Sequence, residues 1–282
     1  MRKPLLKYPK NSKVAYQGEP GAFSQQAACK VFGSELVSVP YRTPEDVFSA
    51  VVRKRAELAV IPIENTLAGS IYQNFDLLAR HPLVVVAETS LRIGHNLIVH
   101  RGVGLGRIRQ VYSHPAALEQ CSRFLRRFKS LDQVSFYNTA GSVKFIHDSG
   151  LKQAAAIASA EAARIYGMKI LRRGIEDDPG NYTRFLVLAR KGLLAQGGEK
   201  TSIVFGLENQ PGVLFKALSV FALRNIDLVK IESRPIRGKP WEYLFYMDLL
   251  SDIRSRECRH ALRHLRELAP YLKVLGSYPV IK

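Results

Sequence analysis

The sequence predicts an α/β protein in two consecutive parts, and three observations carry that reading. From Lys13 to about Arg190, short apolar runs such as Val14-Ala15-Tyr16 and Leu58-Ala59-Val60-Ile61-Pro62-Ile63 alternate with longer helix-patterned stretches. From Thr201 a second, complete pattern follows: strand, helix, strand, strand, helix, strand, the ferredoxin-like βαββαβ order. Between them, Lys191 to Lys200 has the glycine-bearing character of a linker. A chain of 282 residues with 46% hydrophobic content has enough apolar surface for two domains with cores of their own.

The first strand, Val14-Ala15-Tyr16, runs into Gly18-Glu19-Pro20-Gly21-Ala22-Phe23-Ser24 and a helix over Gln25 to Phe32. Glycines there let backbone approach a ligand, and the helix start offers free N–H groups. The loop has neither P-loop nor dinucleotide spacing, so no nucleotide is indicated. Thr43-Pro44-Glu45-Asp46 reads as an N-cap, a proline in the first turn and two acids, opening a helix to about Lys54.

The buried-strand run Leu58 to Ile63 ends in Glu64-Asn65-Thr66-Leu67-Ala68-Gly69-Ser70, with helix from about Ile71. Ligands of open α/β sheets gather at such strand-to-helix turns. Strands follow at Leu83–Ala87, Asn96–Val99 and Ile108–Tyr112. Ser113 is then expected as an N-cap with Pro115 just inside its helix, and Gln120 within that helix. Thr139 opens another helix, and Ala154 to Ser159 is a strand leading into the helix Ala160 to Tyr166.

Asp177 to Arg184 is a polar loop entering the apolar strand Phe185-Leu186-Val187-Leu188-Ala189. In extended backbone Asn181 and Thr183 face one way while Tyr182 and Arg184 face the other. In the last part, strands at Thr201–Leu207, Ile226–Glu232, Glu242–Leu250 and Tyr271–Ser277 flank helices at Val213–Leu223 and Ser255–Leu268. The loop Glu208-Asn209-Gln210-Pro211-Gly212 meets a helix start and reads equally as a small-ligand site or a plain turn.

A formal charge of +18 suggests either nucleic-acid binding or a field attracting small anions. The basic clusters, Arg123 to Arg127 and Arg254 to Arg266, lie in helix-like sequence, as solvated helix faces do. No nucleic-acid-binding motif accompanies them, so no nucleic-acid partner is expected. Cys29, Cys121 and Cys258 are odd in number and widely spaced, which fits a reducing compartment. The basic segment from Met1 to Lys10 lacks the apolar core of a signal peptide. No apolar run approaches the roughly 18 to 20 residues a bilayer span needs, so no membrane association is expected. His260 and His264 share a helix face without a third ligand, so no metal is expected.

In order along the chain, Gly18 to Ser24, Pro62-Ile63-Glu64-Asn65-Thr66, Tyr112-Ser113-His114-Pro115 and Asn181-Tyr182-Thr183-Arg184-Phe185 resemble the prephenate dehydratases. Pro211-Gly212-Val213-Leu214-Phe215 and Ile231-Glu232-Ser233-Arg234-Pro235 resemble that family's phenylalanine-sensing ACT domain. The resemblance implies a two-lobed, periplasmic-binding-protein-like catalytic region over 13–191 and an ACT domain over 200–282. It implies cofactor-free conversion of prephenate to phenylpyruvate, water and carbon dioxide, with arogenate as the alternative substrate. The segment from Trp241 to Tyr246 is more similar to the bacterial prephenate enzymes. A monofunctional enzyme is expected, since no chorismate-mutase-like segment precedes Lys13.

By the same resemblance Thr183 assists the leaving hydroxyl, and Asn65, Ser113, Gln120, Thr139 and Asn181 bind substrate. Arg184 either pairs with a substrate carboxylate or makes a structural ion pair. Phenylalanine is expected at Asn209, Gln210, Gly212, Val213, Leu214, Glu232 and Ser233, in a homodimer or homotetramer. The implied compartment is cytoplasmic, or plastid stroma for a photosynthetic eukaryote. The rival classes are a non-catalytic amino-acid-binding regulator and, more distantly, a nucleic-acid binder.

Overall fold

The computed structural model describes residue 8 and residues 11–33, 36–128, 130–192, 198–236, 238 and 242–282. Most of the N-terminal tail, the middle of the expected linker and Trp241 lie outside the described residues. Two compact units emerge, one from residues within 9–71 and 90–185, the other from residues within 72–89 and 186–282.

The chain begins with β1 (Lys13–Gln17), α1 (Phe23–Phe32), β2 (Val37–Tyr41), α2 (Pro44–Val52), β3 (Leu58–Asn65) and the two-residue β4 (Gly69–Ser70). It enters the second unit with α3 (Tyr72–Arg80) and leaves it along β5 (Leu83–Arg92). Next come β6 (Asn96–Val99), β7 (Gln110–Ser113), α4 (Pro115–Glu119), α5 (Ser122–Leu125), β8 (Asp132–Ser135), α6 (Thr139–Asp148), β9 (Ala154–Ala158), α7 (Ala160–Ile165) and β10 (Lys169–Arg172). Strand β11 (Tyr182–Arg190) starts in the first unit and ends in the second. The last elements are β12 (Lys200–Leu207), α8 (Val213–Ala222), β13 (Leu228–Pro235), β14 (Tyr243–Leu249), α9 (Arg256–Leu268), β15 (Tyr271–Tyr278) and β16 (Val280–Ile281).

The first unit has two lobes. In the first lobe β1 lies between β2 and β3, parallel to both, with Ala15 opposite Val39 on one side and Ala59 on the other. Helix α2 starts as the sequence predicts: Thr43 accepts the Asp46 N–H, and Pro44 occupies the first turn, where its missing N–H costs nothing. The second lobe is a five-stranded sheet ordered β10-β6-β9-β7-β8. Strand β7 is parallel to β8 and β9, whereas β6 is antiparallel to β9 and β10. Its centre, β9, is wholly buried and mostly alanine, so helices can pack closely on it.

The loop after β1 is seated on the second lobe. Tyr16 and Ala22 share a core with Ala140, Val143 and Ala162, and Ser159, the N-cap of α7, donates to the Gly21 carbonyl at 2.7 Å. Gly21 has φ +91°, and a Cβ there would stand 2.5 Å from the Ala162 Cα. Only glycine fits both the dihedral and the space.

In the second unit the antiparallel sheet β13-β14-β12-β15 carries α8 and α9 over a core of Ile203, Phe205, Phe221, Met247 and Leu262, the ferredoxin-like arrangement. Helix α3 belongs to the same unit. Its C-terminal carbonyls at Leu78 and Ala79, and that of His81 beyond, accept from Lys273 Nζ at 2.7 to 3.1 Å, which supplies positive charge to the helix end. Arg234 pairs with Asp76 of α3 at 3.1 Å and lies over the Tyr72 ring.

Some local expectations need correction. Ser113 is no N-cap: it ends β7, and the ring of His114 accepts the Ala116 N–H instead. Gln120 is the C-cap of α4 rather than a residue inside it. Asn138 caps α6, so Thr139 is its first helical residue. Strands β4, β8, β10 and β16 carry little apolar alternation of their own, and pairing with neighbours makes them strands.

Candidate active site

Backbone geometry at one turn orients the site. Where β3 ends, Asn65 Oδ1 accepts the N–H groups of Leu67 at 3.0 Å and Ala68 at 2.9 Å. This turn fixes which end of the amide is oxygen, so Nδ2 must face the other way. Nδ2 meets Asn181 Oδ1 at 2.6 Å, Thr183 Oγ1 at 2.9 Å and the Tyr182 carbonyl at 3.1 Å. An amide nitrogen only donates, so the Thr183 oxygen is an acceptor and its hydroxyl proton is free to point elsewhere.

The same logic passes along the chain of amides. With its oxygen taken by Asn65, Asn181 donates through Nδ2 to Gln120 Oε1 at 2.9 Å. Gln120 Oε1 also lies 3.0 Å from His95 Nε2. Because that oxygen can only accept, Nε2 carries the imidazole proton, and Gln120 turns its own Nε2 donors away from the chain. Thr66 ties the turn to the β11 approach, accepting the Tyr182 N–H and donating to the Gly180 carbonyl at 2.8 Å.

Asn65 and Thr183 are each 8% exposed, Asn181 is fully buried and His95 is 2% exposed. A set so desolvated is stable only when its members satisfy one another. Burial holds the His95 pKa below its usual value, although the bond to Gln120 and the nearby Glu176 carboxylate oppose the shift. The cluster is therefore assembled from neutral groups. Burial likewise raises the Cys121 thiol, the residue after Gln120, so it stays protonated and unreactive.

The structure brings Asn65, Gln120, Asn181 and Thr183 together, as the pleat argument anticipates for Asn181 and Thr183. Arg184 faces the opposite side and lies 3.5 Å from Glu64, the ion-pair alternative of its two readings. Ser113 is buried and donates to the Ile157 carbonyl at 2.6 Å. Thr139, at the start of α6, gives its carbonyl to Ser142 Oγ and makes no bond to the cluster. His95 was not among the expected residues; its only sequence signal is a polar residue beside Gly94.

Across the lobes, Tyr137 donates to Glu19 at 2.9 Å, and Lys144 lies 3.5 Å from the same carboxylate. Burial and that bond push the Tyr137 phenol up to about 12. In the second unit, Asn209, Gln210, Gly212, Val213 and Leu214 line a cavity of about 200 Å³ with Tyr243 and Phe245. Glu232 and Ser233 do not line it; on β13 they stand opposite Tyr246 and Phe245.

Residues 14–193 match the family model described as prephenate dehydratase, and residues 201–257 match the ACT domain. The chain belongs to the prephenate dehydratase family. This dehydratase is 47% identical over 279 residues to arogenate dehydratase/prephenate dehydratase 2, chloroplastic, of Arabidopsis thaliana, covering 95% of this chain and 73% of the relative. Among solved structures, the prephenate dehydratase of Arthrobacter aurescens in complex with L-Phe superposes with a TM-score of 0.87 at 28% identity, covering 95% of this chain and 90% of that one. A structure described as GqqA, a novel type of quorum quenching acylase, superposes with a TM-score of 0.86 at 33% identity, covering 95% and 98%. The family assigns this dehydratase to the hydro-lyases, with a two-lobed α/β region and a C-terminal ACT domain. Among the described residues, no helix is long and apolar enough to cross a membrane.

Proposed function

We propose that the chain converts prephenate to phenylpyruvate, carbon dioxide and water without a cofactor. The bond from ring to carboxylate breaks, its electron pair enters the ring, and the carbon–oxygen bond to the ring hydroxyl breaks. The departing hydroxide takes a proton drawn from solvent and leaves as water. The observation that carries this reading is the bond from Asn65 Nδ2 to Thr183 Oγ1, which turns the threonine proton outward as a donor to the leaving oxygen. A threonine hydroxyl is a weak acid, so it polarises that oxygen rather than surrendering its proton. Neutral surroundings suit the other half of the reaction, since a cation would overstabilise the carboxylate that must lose its charge.

In this reading Gln120 contacts substrate through its amide donors, Asn65 acts through Thr183, Asn181 fixes the Gln120 amide, Thr139 binds substrate at the start of α6, and Ser113 holds β7 to β9. Arg184 acts through its pair with Glu64. The catalytic domain spans 13–191 and the regulatory domain 200–282, the helix α3 packing with the latter. Phenylalanine binds between the ACT domains of a homodimer or homotetramer, near Asn209 to Leu214 and Glu232-Ser233, the latter pair standing outside the cavity that one copy forms. The compartment is the cytoplasm, or the plastid stroma in a photosynthetic eukaryote.

Arogenate is the second reading, favoured by 47% identity to a plant relative that bears both names. Incubating the purified protein separately with each compound, and following phenylpyruvate and phenylalanine, decides between them by the larger specificity constant. Turnover of neither would overturn the assignment and favour an amino-acid-binding regulator. An acylase reading asks for a nucleophile paired with a base; Thr183 instead has an amide donor on its oxygen.

A further inference from the structure

His95 lies just before β6, in a segment that none of the sequence motifs includes. Its backbone is held at both ends: the His95 N–H donates to Glu176 Oε2 at 2.9 Å, and its carbonyl accepts the Ile175 N–H at 2.9 Å. Glu176 is held in turn by Arg92 at 2.8 Å, and Phe23 meets the imidazole edge-on. The ring is 2% exposed, yet among the described residues its Nδ1 has no hydrogen-bond partner. Few buried polar atoms go unpaired, so an orphaned imidazole nitrogen asks for an explanation.

That other nitrogen faces Gln120 Oε1, at the far end of the amide chain from Thr183. Were the proton on Nδ1, an Nε2 lone pair would confront the Gln120 oxygen. The cheapest relief would be a flip of the Gln120 amide, which would set its NH₂ against the NH₂ of Asn181. Asn181 would have to flip as well, and it would then oppose Asn65, whose own orientation is pinned by backbone. Only the Nε2-protonated ring is consistent with every bond in the chain.

We propose that His95 is a positioning residue for the dehydration: its Nε2–H, together with Asn181 Nδ2, holds the Gln120 oxygen so that Gln120 presents its own donors to substrate. The proposal rests on the dehydratase reading above. His95 itself touches no reacting atom; it acts through the amides.

Four measurements test this. The nitrogen shifts of His95 in the full-length protein should show a neutral ring protonated at Nε2 at neutral pH; an Nδ1-protonated ring or an imidazolium there overturns the proposal. His95→Leu should lower kcat by about 10-fold or more, the scale of losing one donor to a buried acceptor, with a smaller change in KM. His95→Gln, whose amide can place an N–H near the same point, should recover most of the loss. Unchanged kcat in His95→Leu, or a defect that His95→Gln does not relieve, overturns it.

The decisive comparison is the double variant His95→Leu with Gln120→Ala. Acting through Gln120, His95 should add little once that amide is gone. Multiplicative losses would instead mean a general packing defect and refute the positioning role. If the wild-type protein turns over neither substrate, the dehydratase reading fails by itself, and the nitrogen shifts still decide the tautomer.

Discussion

The first and second units each bury a polar cluster, and the clusters are built from opposite materials. In the first, Thr183, Asn65, Asn181, Gln120 and His95 are neutral and joined through amides. In the second, Lys200 meets Glu88 at 2.7 Å, each side chain less than a tenth exposed, and Ser202 bonds both Asp248 and the phenol of Tyr278. The ionic cluster joins β12 and β15 to β5 by strong bonds of little directional content. In the neutral cluster each amide has a distinguishable donor end and acceptor end, so it can specify which way a hydroxyl points.

Breaking the ionic cluster should give the largest effect on stability. Lys200→Met leaves Glu88 buried without its cation and should cost about 3 to 5 kcal/mol, read from denaturant midpoints. Turnover per folded molecule should stay near that of the wild type. A cost below about 1 kcal/mol would erase the distinction between the clusters, since that is the range of exposed pairs.

Thr183→Val makes the opposite cut. It should lower turnover by about 100-fold or more while costing only about 1 to 3 kcal/mol of stability, as Asn65 Nδ2 loses one of its acceptors. Near-normal turnover in a folded variant would remove Thr183 from the mechanism.

Acid should weaken the neutral cluster by a smaller amount. The folded His95 pKa lies below its unfolded value near 6.5, and His114 is depressed by burial as well. The unfolded chain therefore binds more protons as pH falls past about 6.5, and stability is lost from there down through the folded pKa values. Thermal midpoints should fall over that window, with a shallower slope in His95→Leu. An identical slope in both proteins would mean that His95 is not buried neutral.

The smallest effect is expected at the half-buried pair between Arg234 and Asp76. Arg234→Leu should leave basal turnover within about 2-fold, as exposed pairs contribute little. It should shift the phenylalanine concentration for half-effect by about 2- to 5-fold, because Arg234 joins the Glu232-Ser233 strand to α3, the helix next in sequence after the Asn65 turn. An unchanged phenylalanine response would confine α3 to a structural role.

Sequence by itself determined the two-part α/β organisation, the βαββαβ order of the last part, the capped start of α2, and the shared face of Asn181 and Thr183. All of these rest on local periods and turn chemistry, which neighbours in the chain decide. Tertiary structure alone decided that Gln120 and His95 join that face, that Ser113 spends its hydroxyl on Ile157, and that Gly21 must be glycine because Ala162 lies against it. Those contacts link residues far apart in the chain, where neither period nor spacing carries information. The direction of each hydrogen bond was decided there too, because the donor end of an amide is set by the partners that surround it, beginning here with two backbone N–H groups at the Asn65 turn.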